Sequence, residues 1–189
     1  MSGELAVLVS GTGSNLRALA EAIDAGHCAG RVRVVIADRP CPAIEWARAR
    51  GIETEVVRPK AYADRATWDV ALAEVVAAHS PEWVVLAGFM RIVGAGMLAR
   101  FGGRIVNVHP SLLPLYPGLD APGQAVAAGA AQAGCTVHLV DAGVDTGPML
   151  AQAACAVRDD DSGPTLHGRI QPLEHRLLPA VVDSLVRNA

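Results

Sequence analysis

The sequence predicts an α/β fold: a mostly parallel, twisted sheet with helices on both faces and an antiparallel extension. Three observations carry this. Short runs rich in Val, Leu and Ile alternate with amphipathic segments across residues 1–100, the order that builds a parallel sheet through crossover helices. The first run ends in a glycine-rich turn that opens into a helix-like segment. Two later strand-like runs, 134–140 and 149–157, are joined by a tight loop, which reads as the antiparallel extension.

At 189 residues the chain suffices for one domain with a real core. That domain spans 1–189, with halves at about 1–100 and 101–189. Aromatics are only 4% of the residues, so the core must be built from Ala, Val, Leu and Ile. Sixteen basic residues against nineteen acidic ones give −3, and neither sign runs in blocks. That distribution excludes a polybasic nucleic-acid or membrane surface. The apolar runs are short and no basic start leads into an apolar leader, so a soluble, cytoplasmic protein is expected. Cys28, Cys41, Cys135 and Cys155 are far apart without a C-x-x-C pair, which reads as reduced core thiols rather than a metal site or disulfide framework.

Taken in order, Glu4 to Val9 is a buried strand, followed by Ser10-Gly-Thr-Gly-Ser-Asn15 and a helix from Leu16 to Ala25. Gly11 and Gly13 permit positive φ and close backbone approach, Ser14 or Asn15 can cap the helix, and the helix N-terminus suits one phosphate. The loop is neither G-x-G-x-x-G nor followed by Lys after the second Gly, so a dinucleotide or NTP reading is weak. A strand at 32–37 and a helix at 43–50 closed by Gly51 come next, then a short strand at 54–57. Residues 64–78 read as a helix with Trp68, Leu72, Val75 and Val76 inward, and Arg65 in its first turn is poorly placed for the helix dipole. The strand 83–87 runs into Gly88-Phe89-Met90-Arg91-Ile92, an apolar turn that could form a slot for a flat ring. A short helix at 94–101 precedes the strand that ends at His109. A turn-rich loop leads to a helix at 124–131, then come the two late strands. A closing helix at 165–186 is interrupted near Pro172 and Pro179.

The chemistry concentrates at the end of the fifth strand. In Ile105-Val-Asn-Val-His109, Asn107 and His109 stand two residues apart and so share one face; Pro110 then ends the ladder. A carboxamide beside an imidazole can donate to one oxygen that is gaining negative charge. Asp145, in the loop Asp141-Ala-Gly-Val-Asp-Thr-Gly-Pro148, is the third candidate: a carboxylate near an imidazole favours its charged form and can relay a proton. No Ser or Cys sits in a nucleophile elbow. Direct acyl transfer through a tetrahedral intermediate is therefore the indicated reaction class. The strand end and the first glycine loop lie on the same rim of a parallel sheet, so a phosphate site and a polar pair are expected to face one crevice.

The segments SGTGSN at 10–15, LAGFMRI at 86–92, NVHPSLLP at 107–114 and HLVDAGVDTGP at 138–148 occur in this order, and together they resemble the phosphoribosylglycinamide formyltransferases (glycinamide ribonucleotide transformylases) of the folate-dependent formyltransferase superfamily. The resemblance covers residues 4–186 and implies a Rossmann-like formyltransferase fold. It implies formyl transfer from 10-formyltetrahydrofolate, as cosubstrate and with no metal, to the amine of 5-phosphoribosylglycinamide in purine synthesis. Carried over by position, Asn107, His109 and Asp145 would be catalytic, with Thr136 orienting a water. Gly11, Thr12, Gly13, Ser14 and Asn15 would hold the acceptor's phosphate; Gln171 and Glu174 would meet its ribose. Met90, Arg91, Ile92 and Val93, with Leu139, Val140 and Asp141, would clasp the pterin, and Arg65 would meet the glutamate tail. The implied partners are small molecules, with neither nucleic acid nor membrane, and the chain would be a monomer or homodimer.

Two positions depart from the family pattern: Asp120 stands where many members have His, and Leu115 where a basic residue is common. The sequence also stops at Ala189, short of the usual tail. A paralogue that formylates a different small amine, and a non-catalytic phosphate-binding module, are the alternatives these features leave.

Overall fold

The computed structural model describes residues 3–188. Seven strands form one sheet in the order β3-β2-β1-β4-β5-β6-β7. The strands are β1 (Glu4–Val9), β2 (Arg31–Ala37), β3 (Glu53–Val56), β4 (Trp83–Leu86), β5 (Ile105–His109), β6 (Gln132–Leu139) and β7 (Met149–Ala156). The first five pair in parallel, while β6 and β7 pair antiparallel, as the tight loop between them requires. Helices α1 (Ser14–Asp24), α2 (Pro42–Ala49), α3 (Arg65–Ala78), α4 (Ala95–Phe101), α5 (Ala121–Ala127) and α6 (Gly163–Arg187) cover both faces.

Burial on both faces explains why the central strands read as unbroken apolar runs. Along β1, Leu5, Val7 and Val9 join the core beneath α1, α2 and α6, while Ala6 and Leu8 join the core beneath α3 and α4. The chain moves outward in one direction from β1 to β3, then returns to β4 on the other side of β1. The carboxyl ends of β1 and β4 therefore flank a topological switch point, where open α/β sheets leave a crevice. No helix among the described residues is long and apolar enough to cross a membrane.

The closing helix differs from expectation. It runs unbroken from Gly163 to Arg187 with Pro172 and Pro179 inside it. The reason is packing: Leu166, Ile170, Leu178, Val182 and Val186 are buried at four-residue steps against the sheet, and Ser162 and Thr165 form a capping box at the start. That burial outweighs two lost backbone bonds. Pro172 is exposed and carries no core contact that would compensate its cost. Pro172→Ala is accordingly expected to stabilise the protein by about 2 kcal/mol in urea unfolding, after the stiffening effect of Pro on the unfolded chain is subtracted. A variant no more stable than the parent would mean the helix had already absorbed the defect.

Candidate active site

Asn107 and His109 lie on the last turn of the sheet's fifth strand, and antiparallel pairing sets each opposite a polar partner: Asn107 faces His138 and His109 faces Thr136. The Asn107 Nδ2 stands 3.1 Å from His138 Nε2. His138 Nδ1 is 2.8 Å from the Leu139 carbonyl, so its proton sits on Nδ1 and Nε2 accepts from the carboxamide. One Asn107 N–H is thus spent on orientation, and the other remains for a ligand.

Asp145 reaches the same place from the loop between β6 and β7, with φ 55. Its Oδ2 accepts from Gly118 N at 2.8 Å and lies 3.4 Å from His109 Nδ1; its Oδ1 lies 3.6 Å from His138 Nε2. Burial pushes the carboxyl up, but the Gly118 N–H and the His138 and His109 imidazoles beside it outweigh that and hold the group below the usual carboxylate range. On its other side His109 Nε2 donates to Tyr116 O at 3.0 Å. The carboxamide, the imidazole and the acid are linked through His138 into one cluster. All four side chains line a cavity of about 610 Å³.

Phe89, Met90, Arg91, Ile92 and Val93 form another wall of that cavity, with Val140 and Asp141 near the acid. Met90 and Ile92 are 62% and 49% exposed, apolar surface that only a ligand or partner would cover. The loop they occupy is held by its backbone: Ser10 Oγ accepts from Met90 N at 2.9 Å, and Asp69 takes Gly94 N at 2.7 Å. Arg65 belongs to this scaffold, donating to Ile92 O at 2.7 Å. That bond gives its awkward first-turn position a structural reason, separate from any ligand.

Two expectations are corrected, the water held by Thr136 and the side-chain cap on α1. Thr136 is completely buried, and its hydroxyl donates to Ser111 O at 2.7 Å while accepting from Leu113 N at 3.0 Å and Gln152 Nε2 at 2.9 Å. A hydroxyl so engaged has no capacity left to orient a water; it anchors the 111–113 loop beside His109. Leu139 is half-buried against the core, next to Val140 and Asp141 in the cavity wall. Asp141 is committed to its own loop, where Thr146 Oγ1 (2.7 Å) and Gly143 N (3.0 Å) hold its carboxyl low. Neither Ser14 nor Asn15 caps α1: Gly13, at φ 76, occupies the cap position with no side-chain bond. A Cβ on Gly13 would lie 2.7 Å from Ala43 Cβ, so the turn needs glycine for space as well as conformation.

The glycine loop does not share the cavity's lining; α6 connects the two. Pro164 and His167 line the cavity, and further along the same helix Gln171 Nε2 donates to Ser14 Oγ at 3.3 Å while Glu174 Oε2 accepts from Asn15 Nδ2 at 3.1 Å. Gly11 and Thr12 are exposed at the mouth of the loop. With no side-chain cap, the first N–H groups of α1 are left for an anion.

Glu174 interrupts the apolar row of α6 and is 3% exposed. Burial raises its carboxyl above the ordinary range, against the opposing pull of the Asn15 amide and His167. Because the folded-state value exceeds the unfolded one, its stabilising contribution is complete below about pH 4.3 and is lost as pH rises through the folded value. Glu174→Gln cannot ionise, so its melting temperature relative to the parent should climb between pH 4 and pH 8. A difference independent of pH would show that Glu174 titrates normally.

The Asp120 departure also has a local account. Its carboxylate N-caps α5, accepting from Gly123 N at 3.3 Å, and a Cβ at Gly123 would collide with it.

A family model described as formyl transferase matches residues 4–182. The phosphoribosylglycinamide formyltransferase of Mycobacterium tuberculosis is 49% identical over 181 residues, covering 96% of this chain and 84% of that protein. The Bacillus subtilis protein of the same name is 40% identical over 184 residues, with 97% and 94% covered. The crystal structure of glycinamide ribonucleotide transformylase 1 from Symbiobacterium toebii superposes with a TM-score of 0.97 at 44% identity, over 99% of this chain and 89% of that one. With fold and sequence agreeing along nearly its whole length, this chain belongs to the formyl transferase family.

Proposed function

We propose that the protein transfers a formyl group from 10-formyltetrahydrofolate to the amine of 5-phosphoribosylglycinamide. The observation that carries the reading is the convergence of Asn107, His109 and Asp145 on a single cavity that also has an apolar, half-exposed wall. A flat, largely apolar ring system fits against Phe89, Met90, Ile92 and Val93. The glycine loop and α6 offer an anion and hydroxyl site next door, and the Asn15 Oδ1, buried and without a partner among the described residues, is an acceptor that a hydroxyl would satisfy.

In this reading the acceptor amine attacks the formyl carbon. The free N–H of Asn107 meets the developing oxyanion, and His109 moves its Nε2–H from Tyr116 O to the same oxygen, exchanging a neutral acceptor for a charged one. Asp145 holds the His109 ring in place. Since its carboxyl is held low, it is a weak base and carries the amine proton only in transit, toward the departing folate nitrogen. The relatives carry the acceptor assignment, and Asp120, which caps α5 while lining the cavity, keeps a different amine as the second reading. An idle binding module would gain nothing from burying these polar side chains around one point.

The direct experiment follows release of tetrahydrofolate from 10-formyltetrahydrofolate. Release that depends on 5-phosphoribosylglycinamide supports the assignment. Release without any acceptor would make the protein a hydrolase, and release with a different amine only would make it a paralogue of altered specificity.

A further inference from the structure

Asp38, the residue that follows β2, is a charged group the chemistry above does not use. Its side chain is completely buried, yet the two guanidiniums that bind it are 50% (Arg39) and 44% (Arg91) exposed. Arg91 Nε donates to Oδ2 at 2.8 Å; Arg39 donates through Nε at 3.3 Å and Nη2 at 3.0 Å. The register that pairs Val9 with Ala37 sets Ser10 beside Asp38, and the two arginines and the neighbouring Ser10 hold the carboxyl below its usual range against the cost of burial. Burying a carboxylate is costly unless it is paired, and a neutral residue could close this rim of the sheet without that cost. The position therefore calls for an explanation beyond packing.

Four side chains suspend the loop from Phe89 to Gly94. Ser10, Arg65 and Asp69 bind its backbone. Asp38 alone of the four holds a side chain, Arg91, and that side chain lines the cavity. One carboxylate between two guanidiniums also leaves net positive charge at the rim, where an anionic ligand would be drawn.

We propose that Asp38 is a positioning residue for cosubstrate binding: it fixes the Arg91 guanidinium in the cavity wall before the cosubstrate arrives. The proposal rests on the reading of the cavity as a 10-formyltetrahydrofolate site. Holding one long side chain in its bound conformation is worth about three- to tenfold in affinity.

The test compares parent, Asp38→Asn, Arg91→Met and the double variant. Tetrahydrofolate binding is measured by calorimetry, and kcat and both KM values by assay. Expected is a three- to tenfold weaker Kd for tetrahydrofolate and a matching rise in KM for 10-formyltetrahydrofolate in Asp38→Asn, with acceptor KM and kcat within twofold of parent. In the Arg91→Met background the same change should add little, because Asp38 acts through Arg91. An unchanged Kd, an equal rise in both KM values, or effects that simply add would overturn the role. If Asp38→Asn does not fold, Asp38→Glu decides: it keeps the charge but displaces the carboxylate from its place against Arg91 Nε, so weaker binding supports the arrangement and parent-like binding overturns it. Failure of the parent itself to bind tetrahydrofolate would instead sink the cavity's assignment, a distinct result.

Discussion

Asn107→Ala should lower kcat by about 10²–10³ and leave the fold intact, and His109→Ala should do the same or worse. Asn107 supplies one oriented N–H and is tethered by a single bond to His138, so its removal deletes a donor without opening the core. His109 is 6% exposed and bridges Tyr116 O and Asp145, so its loss removes a donor and also strands the acid. Asp145→Asn tests the same unit from the other side: it keeps the shape and the acceptor for Gly118 N but removes the charge that holds His109. The sign of the pH effect follows from its depressed carboxyl. The stability it contributes is present above the unfolded carboxylate value and disappears as pH falls through the lower folded value, so Asp145→Asn should flatten the acid limb of the stability curve below about pH 4. Steady-state kinetics with circular dichroism decides the first point and acid titration the second. Near-parental kcat in a folded Asn107→Ala protein would remove the carboxamide from the mechanism.

Trp68→Ala carries the largest expected loss of stability, about 3–5 kcal/mol. The indole is 2% exposed, its Nε1 donates to Val57 O at 2.9 Å, and it stacks on Phe89 with centroids 6.4 Å apart and planes 22° from parallel. Truncation leaves a void in a core with few aromatics to refill it and orphans a buried carbonyl. Phe89 is a wall of the cavity, so the damage should also reach binding: KM for 10-formyltetrahydrofolate rises, while the acceptor's KM holds. Trp68→Phe keeps the stack and drops the hydrogen bond, and should fall between. Urea unfolding that gives less than about 1 kcal/mol for Trp68→Ala would contradict this account of the core.

Much of this architecture is legible in the residues alone. Hydrophobic periodicity and glycine placement are local properties, so all seven strands and the helices could be located, with boundaries off by a turn or less at α1, α5 and α6. Asn107 and His109 share a face because side chains alternate along any strand, and no tertiary information is needed for that. Local rules fail where packing overrides them, as in α6, which keeps its prolines because its apolar row is buried. They also fail where a polar residue's partner is distant in sequence. Thr136 looked free and is fully bonded; Asp38 and His138 carried no catalytic or binding expectation and hold Arg91 and Asn107. A buried carboxylate at the end of β2, two strands from Arg91, could have been suspected only by pairing the rim residues of β1 and β2 in register with Ser10.

The sequence by itself determined the alternation of strands and helices, the parallel sheet with its antiparallel edge, and the pairing of a carboxamide with an imidazole on one strand, because each follows from contacts within a few residues. The tertiary structure decided which polar groups are spent on the scaffold and which remain for chemistry. Each polar group has a fixed number of hydrogens and lone pairs to give, and the claimants on each group arrive from parts of the chain that meet only after the sheet has closed.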